Sequence, residues 1–216
     1  MRIGVFGGAF NPPHVGHLVC AQEAHAQLEL DVVVWVPVGR APHREIPQDP
    51  GPEARFEMCE YATAADERFG LSRIEIDREG PSYTVDTLRE LRARSAEDEL
   101  VLILGGDQAA ALPSWHEPET VLSLATVAVM ERTNWSRSAI EITIGRLPGA
   151  ERIRYLEMPL MQVSSSVIRR RVAGGLPIRY LVPDKVANYI GTNDLYGAAK
   201  AAPDPKPASD SKPALA

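Results

Sequence analysis

The residues best equipped for chemistry lie near the start of the chain. Residues 8–17 read GAFNPPHVGH, which sets His14 and His17 three positions apart behind two prolines. Each imidazole can donate a hydrogen bond to a phosphate oxygen, more strongly when protonated. The same pair could also open a metal site, with His43, His116 or Asp107 completing the ligands. His25, further along, reads as an ordinary helix histidine.

Three apolar runs rich in β-branched residues stand out: residues 2–6 (RIGVF), 32–38 (VVVWVPV) and 100–104 (LVLIL). Residues 125–130 (ATVAVM) are similar, and 71–76 and 152–156 are weaker strand candidates. Unbroken runs of this length suit strands buried on both faces of a parallel sheet. Helical patterns lie between them. Leu18, Ala21, Ala24 and Leu28 follow His14 at helical spacing. Further candidates are 53–65, 84–93, 118–124, 137–147, 165–172 and 184–190. Strands alternating with helices predict an α/β, Rossmann-like, doubly wound parallel sheet with helices on both faces, in a single domain over residues 1–197. Residues 39–52 (GRAPHREIPQDPGP) read as loop. Residues 198–216 carry one large aliphatic residue and no aromatic, so they read as a disordered tail.

In such a sheet a ligand sits beyond the C-terminal strand ends, where strand order reverses. The first strand ends at about Phe6, which puts GGAFNPPHVGH at that place. Gly7 and Gly8 allow close backbone approach. The following helix turns free N–H groups and its positive dipole end toward the site, which suits a phosphate. Neither G-x-G-x-x-G nor G-x-x-x-x-G-K-[ST] occurs, so the donors come from elsewhere, and His14 and His17 are the obvious supply.

Bulk properties narrow the field. The chain has 216 residues, is 44% hydrophobic and 24% charged, and carries a net charge of −6. It lacks the basic footprint of a protein with general affinity for nucleic acid or anionic membranes. No stretch approaches a membrane span or a signal peptide, so a cytoplasmic location is expected. Cys20 and Cys59 are unpaired in pattern and read as buried apolar side chains. The sequence leaves monomer and homo-oligomer both open.

The motif G-x-F-x-P-x-H-x-G-H resembles the signature of the HxGH nucleotidyltransferase superfamily. VSSSVIRRR (163–171) resembles that family's I-S-S-T-x-I-R-x-R, with serines placed to cap a helix and to meet phosphate. Three further stretches are similar to the bacterial nicotinate-nucleotide adenylyltransferases. They are GPSYTVDTLREL (80–91), LGGDQAAALPSWHEPETVLSLA (104–125) and PHREIPQDPGPEARFEM (42–58). The chain departs from the common pattern at Arg44 (usually lysine), Ser166 (threonine), Thr133 (proline) and Gly106 (alanine).

This resemblance implies adenylyl transfer from ATP to nicotinate mononucleotide, giving deamido-NAD and pyrophosphate, with Mg²⁺ bridging the triphosphate. It implies that His14, His17 and Arg169 stabilise developing charge. It places ATP against Gly7, Gly8, Ala9, Phe10, Gly105, Asp107, Ser165, Ser166 and Ile168 as well. It places the acceptor against Phe10, Asn11, Arg44, Tyr83, Thr84, Trp115, His116 and Arg132. Trp115 would stack on the pyridine ring, and backbone N–H groups near Thr84 and His116 would hold its carboxylate. Asp107 suits the ATP ribose, or else a helix N-cap, and Trp35 reads as core. Nicotinamide mononucleotide or another phosphate acceptor such as phosphopantetheine, a non-catalytic ATP sensor on the same fold and a zinc hydrolase remain the alternatives.

Overall fold

The computed structural model describes residues 1–42, 45–130 and 137–200. Six parallel strands form one sheet in the order β3-β2-β1-β4-β5-β6. They are β1 (Arg2–Gly8), β2 (Val32–Pro37), β3 (Phe69–Leu71), β4 (Glu99–Gly105), β5 (Thr126–Met130) and β6 (Ile153–Leu156). The helices are α1 (Val15–Gln27), α2 (Pro52–Thr63), α3 (Thr84–Arg94), α4 (Gly106–Ala111), α5 (Pro118–Leu124), α6 (Arg137–Ile144), α7 (Ser165–Ala173) and α8 (Asp184–Thr192). Short 3₁₀ turns cover Leu112–Ser114, Ala150–Arg152 and Leu195–Lys200. Parallel strands need crossover connections, and the helices between them supply these.

Successive side chains of a strand point to opposite faces, and the core divides accordingly. Leu100, Leu102 and Leu104 of β4, with Val127 and Val129 of β5, pack against α3, α5 and α6 through Val85, Leu88, Leu122, Ile140 and Ile144. Val101, Ile103, Ala128 and Met130 face the other way. They meet Cys20, Ala21 and Ala24 of α1 and the buried ring of Trp35. Both cysteines are free and buried. A third apolar cluster joins α2, α7 and α8 through Met58, Ile168, Val172, Val186 and Ile190.

The strand expected over 71–76 is corrected. Only Phe69–Leu71 pairs with β2, and the last bond runs from Ser72 N to the Trp35 carbonyl at 2.9 Å. Residues 73–77 then close a turn, with Ile76 and Asp77 N–H groups on the Arg73 carbonyl. Past the pairing, Ile74 and Glu75 turn into the interior instead.

Strand order creates the cleft. β1 pairs with β4 only from Arg2↔Glu99 to Val5↔Leu102. Beyond that, β1 follows β2 to Gly8↔Pro37, while β4 follows β5 to Gly105↔Met130. The two central strands therefore part at their C-terminal ends, which is the switch point of a doubly wound sheet.

Candidate active site

The turn after β1 runs along this opening. Gly7 is exposed, and a Cβ there would meet nothing within 4 Å, so its main chain borders open space. At Gly8 a Cβ would come within 3.0 Å of the Phe10 ring. Phe10 lies in the left-handed region (φ 47°), and its ring packs on Phe6, Trp35 and His17. The Asn11–Pro12 peptide is cis.

His14 is the N-cap of α1 and His17 its third residue. The His14 backbone N–H donates to Nδ1 of His17 at 3.2 Å, half of a reciprocal capping box. Their rings stack with centroids 3.7 Å apart. Because Nδ1 of His17 accepts this bond, the neutral ring carries its proton on Nε2 and presents a donor there. The first N–H of α1, on Val15, is taken by the Leu181 carbonyl at 3.0 Å. The start of this helix is thus less open to an anion than its sequence alone suggests.

Helix α7 approaches from the other side. Ser164 caps it, accepting from Val167 N–H at 3.3 Å, and Ser165 Oγ donates to the Pro12 carbonyl at 2.9 Å. Ser166 is exposed and lies 3.1 Å from Ser164, oxygen to oxygen. The N–H groups of Ser165 and Ser166, in the first turn, have no intrahelical acceptor. Arg169 is buried. Its Nη1 donates to the Asn11 carbonyl at 2.7 Å and its Nε to Gln48 Oε1 at 3.2 Å, and among the described residues Nη2 makes no hydrogen bond. Arg171 instead binds the Pro177 carbonyl, so the two motif arginines diverge as their spacing requires.

Other residues of the expected set are committed to the interior. The side chains of Phe10 and Ile168 are buried in the core. Asn11 is 1% exposed, with Nδ2 donating to the Pro47 carbonyl at 2.8 Å and Oδ1 accepting from Tyr196 at 2.5 Å. These three can offer a ligand only their main chain. At the end of β4, Gly105 is the N-cap of α4 and Asp107, within its first turn, is exposed.

On the acceptor side, Tyr83 caps α3, and its ring lies 4.5 Å from that of His116. The first-turn N–H groups of α3, beginning at Thr84, point out of the helix. Trp115 follows a 3₁₀ turn, half-buried against the core. Arg44, Arg132 and His43 lie outside the described residues.

Sequence reasoning assigned no role to several residues that support the site. Arg55 is fully buried beneath the turn. Its guanidinium donates to Asp49 Oδ1 (2.8 Å) and to the carbonyls of Ala9 (3.2 Å), Val38 (2.6 Å) and Gly39 (3.3 Å). From there, Gly39 and Arg40 N–H groups bind Ser82 Oγ at 3.2 and 3.1 Å, which places Tyr83. A Cβ on Gly39 would lie 2.1 Å from the Glu75 carbonyl, so this junction tolerates no side chain. Glu75 is buried and accepts from Thr87 Oγ1 at 2.8 Å, and burial pushes its carboxyl up to about 7. The motif P-H-…R-x-x-M contains Arg55, but nothing in it reveals burial.

Residues 5–171 match the model of the cytidylyltransferase-like family. A probable nicotinate-nucleotide adenylyltransferase of Geobacillus thermodenitrificans is 40% identical over 209 residues, covering 97% of this chain and 92% of the relative. One from Tropheryma whipplei is 43% identical over 190 residues, covering 88% and 97%. Among solved structures, the Plasmodium falciparum nicotinic acid mononucleotide adenylyltransferase complexed with NaAD aligns with a TM-score of 0.73. It covers 90% of this chain and 97% of its own at 16% identity, a likeness of fold. With a sheet that parts above its HxGH turn and relatives matched along nearly their whole length, the chain belongs to the cytidylyltransferase-like family, among its nicotinate-nucleotide adenylyltransferases.

Proposed function

We propose that this protein transfers the adenylyl group of ATP to nicotinate mononucleotide, forming deamido-NAD and releasing pyrophosphate. The observation that carries this reading is the turn after β1, in which His14 and His17 stack on each other and the Asn11 carbonyl accepts from Arg169 Nη1. A phosphate oxygen of the mononucleotide attacks the ATP α-phosphorus, and the bond from that phosphorus to the β-phosphate bridging oxygen breaks. The attacking monoester has a second pKa of about 6 and is mostly dianionic at neutral pH, so it needs no general base. The protein's task is alignment and charge stabilisation.

His17 does this through Nε2, with the His14 main chain fixing its tautomer. His14 stacks on it, and Arg169 supplies Nη2, held in place by Asn11 and Gln48. The triphosphate lies along Gly7, Gly8, Gly105 and the first turn of α7 at Ser165 and Ser166, with the ribose near Asp107. The acceptor base lies against Trp115, its carboxylate toward the N–H groups around Thr84 and His116. A site of donors discriminates against the amide, whose NH₂ would leave them unpaired.

Among the described residues, no group of three or more His, Cys, Asp or Glu side chains gathers as a metal cage. Asp107, exposed in the first turn of α4, is the carboxylate that would help to hold a Mg²⁺ ion brought in on the nucleotide. When bound, it would offset triphosphate charge. Among the described residues, no helix is long and apolar enough to cross a membrane. Use of ATP and two free thiols suit a cytoplasmic enzyme.

The test is incubation with Mg-ATP and either nicotinate or nicotinamide mononucleotide, reading dinucleotide and pyrophosphate. The acid should be the better acceptor by kcat/KM. An amide value equal to or above it overturns the acceptor assignment, and binding of ATP with no product from either favours a sensor.

A further inference from the structure

The last described segment reaches back beneath the active site. After α8 the chain turns through left-handed residues at Asp194 (φ 50°), Tyr196 (φ 58°) and Gly197 (φ 85°). A bulky residue such as tyrosine rarely adopts that conformation, and it persists only where its surroundings enforce it. Here they do. The Tyr196 ring is buried in the cluster of α2, α7 and α8, and its hydroxyl donates to Asn11 Oδ1 at 2.5 Å, across 185 residues of sequence.

Asn11 makes this contact consequential. Three of its polar groups are used: Oδ1 by Tyr196, Nδ2 by the Pro47 carbonyl and its own carbonyl by Arg169 Nη1. Pro47 adjoins Gln48, which holds Arg169 Nε. The phenol also faces Arg169, Asp49, Arg55 and Cys59, and burial keeps its proton in place. The hydroxyl therefore stays a donor throughout the working range of pH. Without it, Asn11 Oδ1 would be a buried acceptor with no partner, and the Asn11 carbonyl would be free to tilt.

We propose that Tyr196 is a positioning residue for the transfer reaction, its hydroxyl holding Asn11 so that the Asn11 carbonyl aims the Arg169 guanidinium into the cleft. This rests on the role given to Arg169 above. The far end of the chain thereby sets the geometry of a turn written in its first residues.

The experiment is steady-state kinetics on the full chain for wild type, Tyr196→Phe, Arg169→Lys and the double variant, with folded fraction measured at the assay temperature. Tyr196→Phe should lower kcat about tenfold and leave KM for ATP within about twofold. In the Arg169→Lys background the same change should cost less than about twofold, because the group it aims is already altered. Tyr189→Phe, on neighbouring α8 beside Tyr61 and Glu57, should leave kcat unchanged. Should Tyr196→Phe be unfolded, Asn11→Ser removes the same bond from its other end, together with the bond to Pro47, and should give at least as large a fall in kcat. A kcat for the single variant within twofold of wild type overturns the proposal. So does a loss that tracks the unfolded fraction, or one that survives in full beside Arg169→Lys. Failure of the underlying reading looks different: Arg169→Lys alone would then keep wild-type kcat.

Discussion

Replacing Glu75 by glutamine should make the protein's stability less sensitive to pH, and the size of the effect follows from the buried carboxyl. Glu75 lies between Thr87, which donates to it at 2.8 Å, and Ser82, with Arg78 and Glu90 the nearby charges. Burial raises its pKa from 4.5 to about 7, more than the hydroxyls and Arg78 lower it. The folded protein therefore keeps a proton that the unfolded chain has already released. Stability is fully present below the unfolded value of 4.5, falls as pH rises from there to about 7, and is flat above. At about 1.4 kcal/mol per pH unit, the whole loss is about 3 kcal/mol. Glutamine matches the shape and cannot ionise. Equilibrium urea unfolding of both proteins between pH 4 and pH 8 isolates the term, because every other titrating group is shared. Glu75→Gln should gain about 3 kcal/mol relative to wild type over that range, whatever constant cost its NH₂ group brings. A difference that stays flat with pH would refute the buried, raised carboxyl.

Arg55→Met should destabilise by about 3–5 kcal/mol, since it strips a buried partner from Asp49 and from three carbonyls, and thermal unfolding reads this directly. His17→Ala should lower kcat by about 10²–10³ with little change in KM for ATP. It should also cost about 1 kcal/mol of stability through the lost cap on the His14 N–H, measurable by denaturant midpoint.

The sheet was legible where burial leaves a plain mark. β1, β2, β4 and β5 are covered on both faces, so their sequences run apolar without alternation, and Trp35 could be placed in the core from its neighbours alone. β3 was not legible in its bounds, because the aliphatic residues Ile74 and Ile76 continue after pairing with β2 has ended. What makes Ile74 and Glu75 turn inward is a tertiary site built by α3 and the loop at Gly39. Helix α4 also escaped notice, since the six residues of GDQAAA hold less than two turns of periodicity.

The candidate site divides in the same way, and the division has a physical cause. Groups that would meet the ligand announce themselves, because a phosphate site needs imidazoles, guanidinium groups and glycines at fixed spacing around a strand end. Groups that hold those residues do not. Arg55 looks like any helix arginine until the carbonyls of Ala9, Val38 and Gly39 converge on it, and Tyr196 like any tail tyrosine until it meets Asn11. Both lie under a turn whose main-chain carbonyls point inward and must be satisfied once buried. An anion site built from main chain and short side chains exposes donors on its ligand side, which leaves acceptors on the protein side. Long donors reaching in from α2, α7 and the C-terminal segment meet that need, and each of them fixes a part of the turn as it does so. Stability and alignment at this site therefore share the same hydrogen bonds, and a variant that weakens one is expected to weaken the other.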